Sequence, residues 1–165
     1  MKKILLIIVA ILLSNTSFAQ ISDSNSNIRE AKPLGVSIEF GGVLYTSVVV
    51  DYFVTPKINI EFNGIFIKIE EHYGIGTGVK YHPWGDESDR KWSPYIGAKA
   101  GYIKVFFVNQ MEYVNFHTPL GINYISPKGF DFSADLGWFH ERNQGNFESN
   151  INNYVMASLK LGYRF

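Results

Sequence analysis

The chain has 165 residues, of which 15 are basic and 15 acidic, and it contains no cysteine. Its length fits a single domain, and its balanced charge offers no basic patch for nucleic acid. Without cysteine, neither a disulfide nor a lipid-anchored cysteine is available. These counts exclude nucleic-acid-binding proteins, disulfide-stapled domains and lipoproteins.

Residues 1–19 have the pattern of a secretory signal peptide. Lys2 and Lys3 precede an apolar run from Ile4 to Leu13, and residues 17–19 form a small-x-small cleavage pattern. The apolar run is too short to span a bilayer as a helix. We expect export and removal of residues 1–19, which leaves residues 20–33, rich in Ser and Asn, as a flexible periplasmic leader.

From residue 34 to residue 165 apolar and polar residues alternate with period two, which is typical of β-strands. The pattern is cleanest from Phe130 to Trp138, and it recurs in eight segments of roughly 9–11 residues, the length that a tilted strand needs to cross a bilayer. A sheet in lipid must close, because an open edge leaves unpaired amides. We therefore predict an all-β fold, an antiparallel up-and-down transmembrane β-barrel of about eight strands.

Turn residues and charges predict the connections between these strands. Gly41-Gly42, Thr55-Pro56-Lys57 and Ser126-Pro127-Lys128-Gly129 are expected to be turns. The charged segment from Pro83 to Trp92 and the polar segment from Glu141 to Asn152 are expected to be loops. Any recognition by the protein is assigned to the second loop.

The alternation places nine ionisable side chains on the inner face of the predicted barrel. An eight-stranded barrel is just wide enough to be filled by side chains, and buried charges persist only when they are paired. We therefore favour a salt-bridge network that plugs the lumen over a narrow polar conduit. Its members are Glu39, Asp51, Glu61, Lys80, Lys99, Asp131, Asp135, Lys160 and Arg164. Inward glycines at positions 74, 76, 78, 97 and 101 are expected to make room for long lumenal side chains.

The sequence shows no convincing catalytic, cofactor or metal site. The histidines at positions 72, 82, 117 and 140 do not have the spacing of metal ligands. His140 and Glu141, with Glu148 and Ser149 nearby, could form a lipid-A deacylase site, but a solvated loop is the favoured interpretation. Four aromatic residues are interpreted as anchors at the membrane interface: Trp84, Trp92, Trp138 and Tyr163.

The last strand has apolar residues at every second position, Leu159, Leu161, Tyr163 and Phe165, and ends the given sequence on an aromatic ring. Together with Gly74–Tyr81 and Pro94–Tyr102, it resembles the small outer-membrane β-barrels, the OmpA/OmpX-like and related porin-like families. This resemblance implies a C-terminal insertion signal, read by the barrel-assembly machinery. It also implies residence among the lipids of a Gram-negative outer membrane. The signal ending in Ala19-Gln20 resembles those of Bacteroidota.

The expected function is that of a non-enzymatic outer-membrane barrel, structural or porin-like, with a charge-filled lumen. Three alternatives stay open: a narrow channel or small-solute transporter, a lipid-A-modifying enzyme, and a soluble lipocalin-like binding barrel in the periplasm. The lumenal charges speak against the lipocalin-like barrel, which needs an apolar interior. The sequence does not predict the oligomeric state.

Overall fold

The computed structural model describes residues 27–67, 72–87, 91–105, 111–144 and 151–165. One helical turn, α1 (Ile28–Ala31), precedes eight strands. The strands are β1 (Leu34–Phe40), β2 (Thr46–Thr55), β3 (Ile58–Ile67), β4 (His72–Tyr81), β5 (Trp92–Val105), β6 (Met111–Ile125), β7 (Phe130–Asn143) and β8 (Ile151–Arg164). Each strand pairs antiparallel with the next, and β8 pairs with β1 to close the barrel. The predicted eight-stranded up-and-down barrel is confirmed.

The predicted signal peptide, residues 1–19, lies outside the described residues. Within the described ranges, no helix has the length and apolar character needed to cross a membrane.

Polar and apolar side chains are distributed inside-out relative to a water-soluble domain. On β7, Asp131, Ser133 and Asp135 are buried, whereas the outward Leu136 and Trp138 are 61% and 54% exposed. Successive side chains of a strand point to opposite faces, so one alternation produces both surfaces. The outer wall is therefore apolar and the interior is polar.

β2, β3 and β4 have 10 residues each, as expected, whereas the other five strands depart from the expected 9–11 residues. β1 has 7 residues, whereas β5 to β8 have 14 or 15. The loop predicted from Glu141 to Asn152 is wrong at both ends, because these two residues pair with each other in the β7–β8 ladder. Trp92 likewise opens β5 opposite Tyr124 instead of closing the preceding loop. The ends of β7 and β8 that meet there are mostly polar and show no apolar alternation. The sequence pattern therefore predicted these two strands to be shorter than they are.

The described part of the predicted leader, residues 27–33, packs into the end of the barrel at which β1 begins and β8 ends, here called the terminal end. The Asn27 side chain caps α1 by accepting a hydrogen bond from the Arg29 amide, and it donates to the Gly85 carbonyl at 2.7 Å. The Phe53 amide donates to the Pro33 carbonyl at 3.0 Å. Arg29 is fully buried. We call residues 27–33 the leader plug.

The opposite end, here called the far end, is filled by the connection between β1 and β2. Gly41, Gly42 and Tyr45 adopt positive φ angles, and this turn directs Val43 and Leu44 into the barrel. Both are buried, and they form a cluster with Ile103 and Phe139. A Cβ at Gly76 or Gly101 would lie 3.2 or 3.1 Å from the Val43 side chain. We call Val43 and Leu44 the apolar plug, and the two inward glycines make room for it.

Candidate functional site

All nine predicted lumenal charges lie inside the barrel, each no more than 6% exposed. They come from every strand except β6. The leader plug lies at the terminal end of this network and the apolar plug at its far end. The barrel interior is therefore the candidate site, and its chemistry is that of paired buried charges.

Glu61 on β3 is the hub of the network. The ammonium groups of Lys80, Lys99 and Lys160 lie 2.9, 3.0 and 2.9 Å from its carboxylate oxygens. Lys80 also lies over the Tyr95 ring, 4.3 Å from its centroid. One carboxylate thus serves three lysines from three other strands, which ties β3, β4, β5 and β8 together across the lumen.

Asp51 is the second centre and lies toward the terminal end. It accepts hydrogen bonds from Lys160 Nζ at 3.0 Å and from Asn59 Nδ2 at 2.8 Å. The Arg164 guanidinium donates to the same carboxylate through both Nη atoms. Arg164 Nε lies 3.6 Å from Asp131, and its guanidinium lies over the Phe53 ring, 4.4 Å from the centroid. Lys160 therefore links the Glu61 and Asp51 centres.

Two further acids occupy the middle and the β7 side of the lumen. Glu39 accepts from Lys99 Nζ at 2.5 Å and from Asn63 Nδ2 at 2.7 Å. Asp135 accepts from Tyr95 at 2.5 Å and from Ser158 at 2.7 Å. Among the described residues no lysine pairs with Asp135, and neutral donors stabilise it instead, because a carboxylate in low dielectric needs hydrogen bonds to its oxygens.

Arg29 of the leader plug is a member of the site that the sequence did not predict. The nine predicted residues comprise five acids and four bases, and Arg29 supplies a fifth base beside Asp131 and Arg164. Burial, and then the Arg164 guanidinium, lower the pKa of Arg29 to about 10, so it stays charged at neutral pH. The network is balanced once the leader plug is in place.

His82, which follows β4, lies beneath the leader plug and is 1% exposed. Its ring packs between Phe53 and Tyr95, with centroid distances of 5.2 and 5.3 Å. Burial, followed by the charges of Arg29 and Lys80, holds the pKa of His82 well below its ordinary value. The imidazole is therefore neutral near pH 7 and adds no charge to the network.

The lumen is tightly filled around the Asp51 centre. A cavity lined by Asp51, Asn59, His82 and Asn123, among others, has a volume of about 10 Å³, which is room for about one water molecule. Two inward glycines have the predicted role: a Cβ at Gly78 would lie 2.7 Å from Lys99 Cγ, and one at Gly97 would lie 3.1 Å from Lys80 Cγ. The missing side chains therefore let the two lysines reach Glu61.

The residues considered for a deacylase do not converge where they are described. His140 Nδ1 lies 2.8 Å from Asn153 Oδ1, whereas the neighbouring Glu141 points inward and accepts a hydrogen bond from Tyr45. Glu148 and Ser149 lie outside the described residues. Among the residues that the structure describes, no three potential metal ligands form a cluster.

The outer wall presents the C-terminal pattern and the aromatic residues. Leu159, Leu161 and Tyr163 are 45–50% exposed. The Phe165 amide donates to the Leu34 carbonyl at 2.9 Å, and its ring lies 5.1 Å from that of Tyr163. The proposed interface anchors Trp84, Trp92 and Trp138 are 47–54% exposed. The last strand is thus joined to β1 and carries its apolar side chains outward.

Solved structures with a similar fold are known. No family model and no curated protein matches the chain. Among solved structures, it is similar to the N-terminal β-barrel domain of Pseudomonas aeruginosa OprF, with 16% identity and a TM-score of 0.51 over 81% of this chain and 98% of that one. Acinetobacter baumannii CarO gives 10% identity and a TM-score of 0.43 over the same shares. The fold is that of a small eight-stranded barrel. The predicted resemblance to the small outer-membrane barrels is confirmed at the level of the fold.

Proposed function

We propose that this protein is an integral outer-membrane β-barrel with a structural role, a closed lumen and no catalytic activity. The observation that carries the proposal is the inside-out barrel: paired charges fill the interior, while residues such as Ile75 and Leu120 are 71% and 66% exposed on the wall. Such a wall is costly in water, where large exposed apolar patches cause association. In a bilayer the same wall is matched to its solvent.

The closed sheet and the sequence support the same location. Eight paired strands leave no edge, which is the condition for a sheet in lipid. At the terminal end, Trp92 lies 4.7 Å from Tyr124 and 6.5 Å from Phe132 between ring centroids, which is typical of an interfacial aromatic girdle. The predicted signal peptide and C-terminal strand favour the outer membrane over other membranes.

The packing of the lumen favours a structural role over the narrow channel. The buried carboxylates are held by basic side chains or by neutral hydrogen-bond donors, and both ends of the network are covered by the chain itself. The same packing disfavours a lipocalin-like binder, which needs an empty apolar interior. A purified barrel in planar bilayers should be silent at moderate voltage. A steady unitary conductance would contradict the closed lumen but not the membrane location.

Single-cysteine labelling tests the membrane location directly, because the chain has no cysteine of its own. Spin labels at Leu120→Cys and Leu136→Cys, which are neighbours on the outer wall, should be accessible to oxygen but not to a water-soluble nickel complex. A label at Asp86→Cys, in the connection after β4, is the water-exposed control. Equal nickel accessibility at all three positions would refute the proposal.

A further inference from the structure

The leader plug closes the terminal end of the barrel but belongs to no strand. The Asn27 side chain donates to the Gly85 carbonyl at 2.7 Å, and the Phe53 amide donates to the Pro33 carbonyl at 3.0 Å. The Arg29 guanidinium lies over the Phe53 ring, 5.7 Å from its centroid. These contacts lie outside the strand ladders, so the plug can leave the barrel while every strand pairing is kept.

His82 lies where its protonation state is coupled to the plug. The Gly85 amide donates to the His82 carbonyl at 3.0 Å, so the turn that receives Asn27 also holds His82. The His82 ring packs against Phe53, the ring over which Arg29 lies. His82 Nδ1 has no hydrogen-bond partner among the described residues. In the imidazolium both ring nitrogens carry a proton, so the Nδ1 proton would be buried without an acceptor, which is costly.

The surroundings of His82 are already cationic and have little room for water. Among the described residues, the charged groups around it are Arg29 of α1, Asp51 of β2, Glu61 of β3, Lys80 of β4, Asp131 of β7, and Lys160 and Arg164 of β8. The neutral groups that face it include Asn59, Tyr95 and Asn123. The cavity there has a volume of about 10 Å³, so about one water molecule could hydrate a further charge. Burial, followed by Arg29 and Lys80, accordingly holds the pKa of His82 well below its ordinary value.

We propose that protonation of His82 releases the leader plug, so that the terminal end of the barrel opens in acid while the sheet stays paired. Lys80, Lys160 and Arg164 lie on strands and are fixed by the sheet, whereas Arg29 lies on the plug and can leave with it. Its departure removes one positive charge and admits water to the imidazolium. The leader plug is thus a closure that responds to pH. This inference needs the closed barrel alone and goes beyond the proposed function.

Hydrogen exchange of the Phe53 amide tests the release, because its acceptor, the Pro33 carbonyl, belongs to the plug. The Ile125 amide, which donates to the Lys91 carbonyl at 2.9 Å at the same end, is the control. Exchange is followed by NMR of the barrel in detergent micelles between pH 7.5 and pH 5, and each rate is divided by the intrinsic rate of that amide. With an ordinary pKa near 6.5 for His82 in the released state, the protection of Phe53 should fall several-fold, up to about thirtyfold. The protection of Ile125 should stay constant.

Three variants separate plug release from other effects of acid. His82→Gln should remove the pH dependence of Phe53 protection, because glutamine takes up no proton. Arg29→Gln should reduce it, because the plug then carries no cation, whereas Arg142→Gln, at an exposed position of β7, should behave like wild type. Equal pH dependence in wild type and His82→Gln would overturn the proposal, and so would a loss of protection that Phe53 shares with the amides of the β2–β3 ladder. If His82→Gln does not assemble, Arg29→Gln decides, and an unchanged pH dependence there would overturn the proposal.

Discussion

Neutralising the network hub is predicted to destabilise the barrel severely. In Glu61→Gln the shape is nearly kept, but three buried lysines lose a shared counter-charge. Lys99 keeps Glu39 and Lys160 keeps Asp51, whereas among the described residues Lys80 has no second carboxylate. Breaking a buried ion pair costs about 3–5 kcal/mol. With a urea m-value of roughly 2 kcal/mol/M, the unfolding midpoint should fall by about 2 M.

The assay is urea unfolding of the barrel in lipid vesicles, followed by the mobility of the unheated protein on a gel. Lys80→Met in the Glu61→Gln background should recover most of the loss, because it removes the cation that lost its partner. Glu112→Gln, which breaks the half-exposed pair with Lys104, is the control and should change the midpoint little. An unchanged unfolding midpoint in Glu61→Gln would refute the role of Glu61 as the hub. So would additive losses of stability from Glu61→Gln and Lys80→Met.

Three further predictions use the same barrel. Gly121→Ala should lower the free energy of unfolding by about 1–3 kcal/mol, because its Cβ would lie 2.4 Å from the Ala134 carbonyl oxygen. Gly64→Ala is the control and should unfold like wild type, because its Cβ would have nothing within 4 Å. Equal unfolding midpoints for the two variants would contradict the packing. The pKa of His82 is lowered in the folded barrel, so the unfolded chain binds the proton more readily and the free energy of unfolding should fall between pH 7 and pH 5. The fall should be smaller in His82→Gln. Equal slopes of unfolding free energy against pH in the two proteins would exclude this contribution. Deletion of Phe165 should impair assembly with little change in synthesis, as measured by heat-modifiable protein in cells, and unimpaired assembly would show that Phe165 is not part of an insertion signal.

The sequence predicted the wall of the barrel well because a single physical rule governs it. Period-two alternation states which side chains share a face, so the inward position of Glu61 or Lys160 follows without knowledge of any contact. The partners within the lumen do not follow. That Lys160 of β8 reaches Glu61 of β3 depends on how the closed sheet brings distant strands together, and alternation carries no information on this.

The two plugs were missed for a different reason. Val43 and Leu44 follow two glycines, and this pattern indicates a turn without saying whether the turn faces outward or folds into the lumen. Arg29 lies in a polar segment that resembles a flexible leader, and its burial depends on a space that only the closed barrel creates. The sequence offered one sign of the apolar plug, the inward glycines Gly76 and Gly101. Their missing side chains make room for Val43, which the list of predicted lumenal charges did not include.

The central claim is that this chain is an integral outer-membrane barrel. Its most direct test is fractionation of cells that express the full chain, with a carbonate wash of the outer membrane and a gel of heated and unheated samples. The account predicts that the protein stays in the washed outer membrane and that the unheated, folded form migrates differently from the heated form. Recovery in the soluble periplasmic fraction would contradict the account.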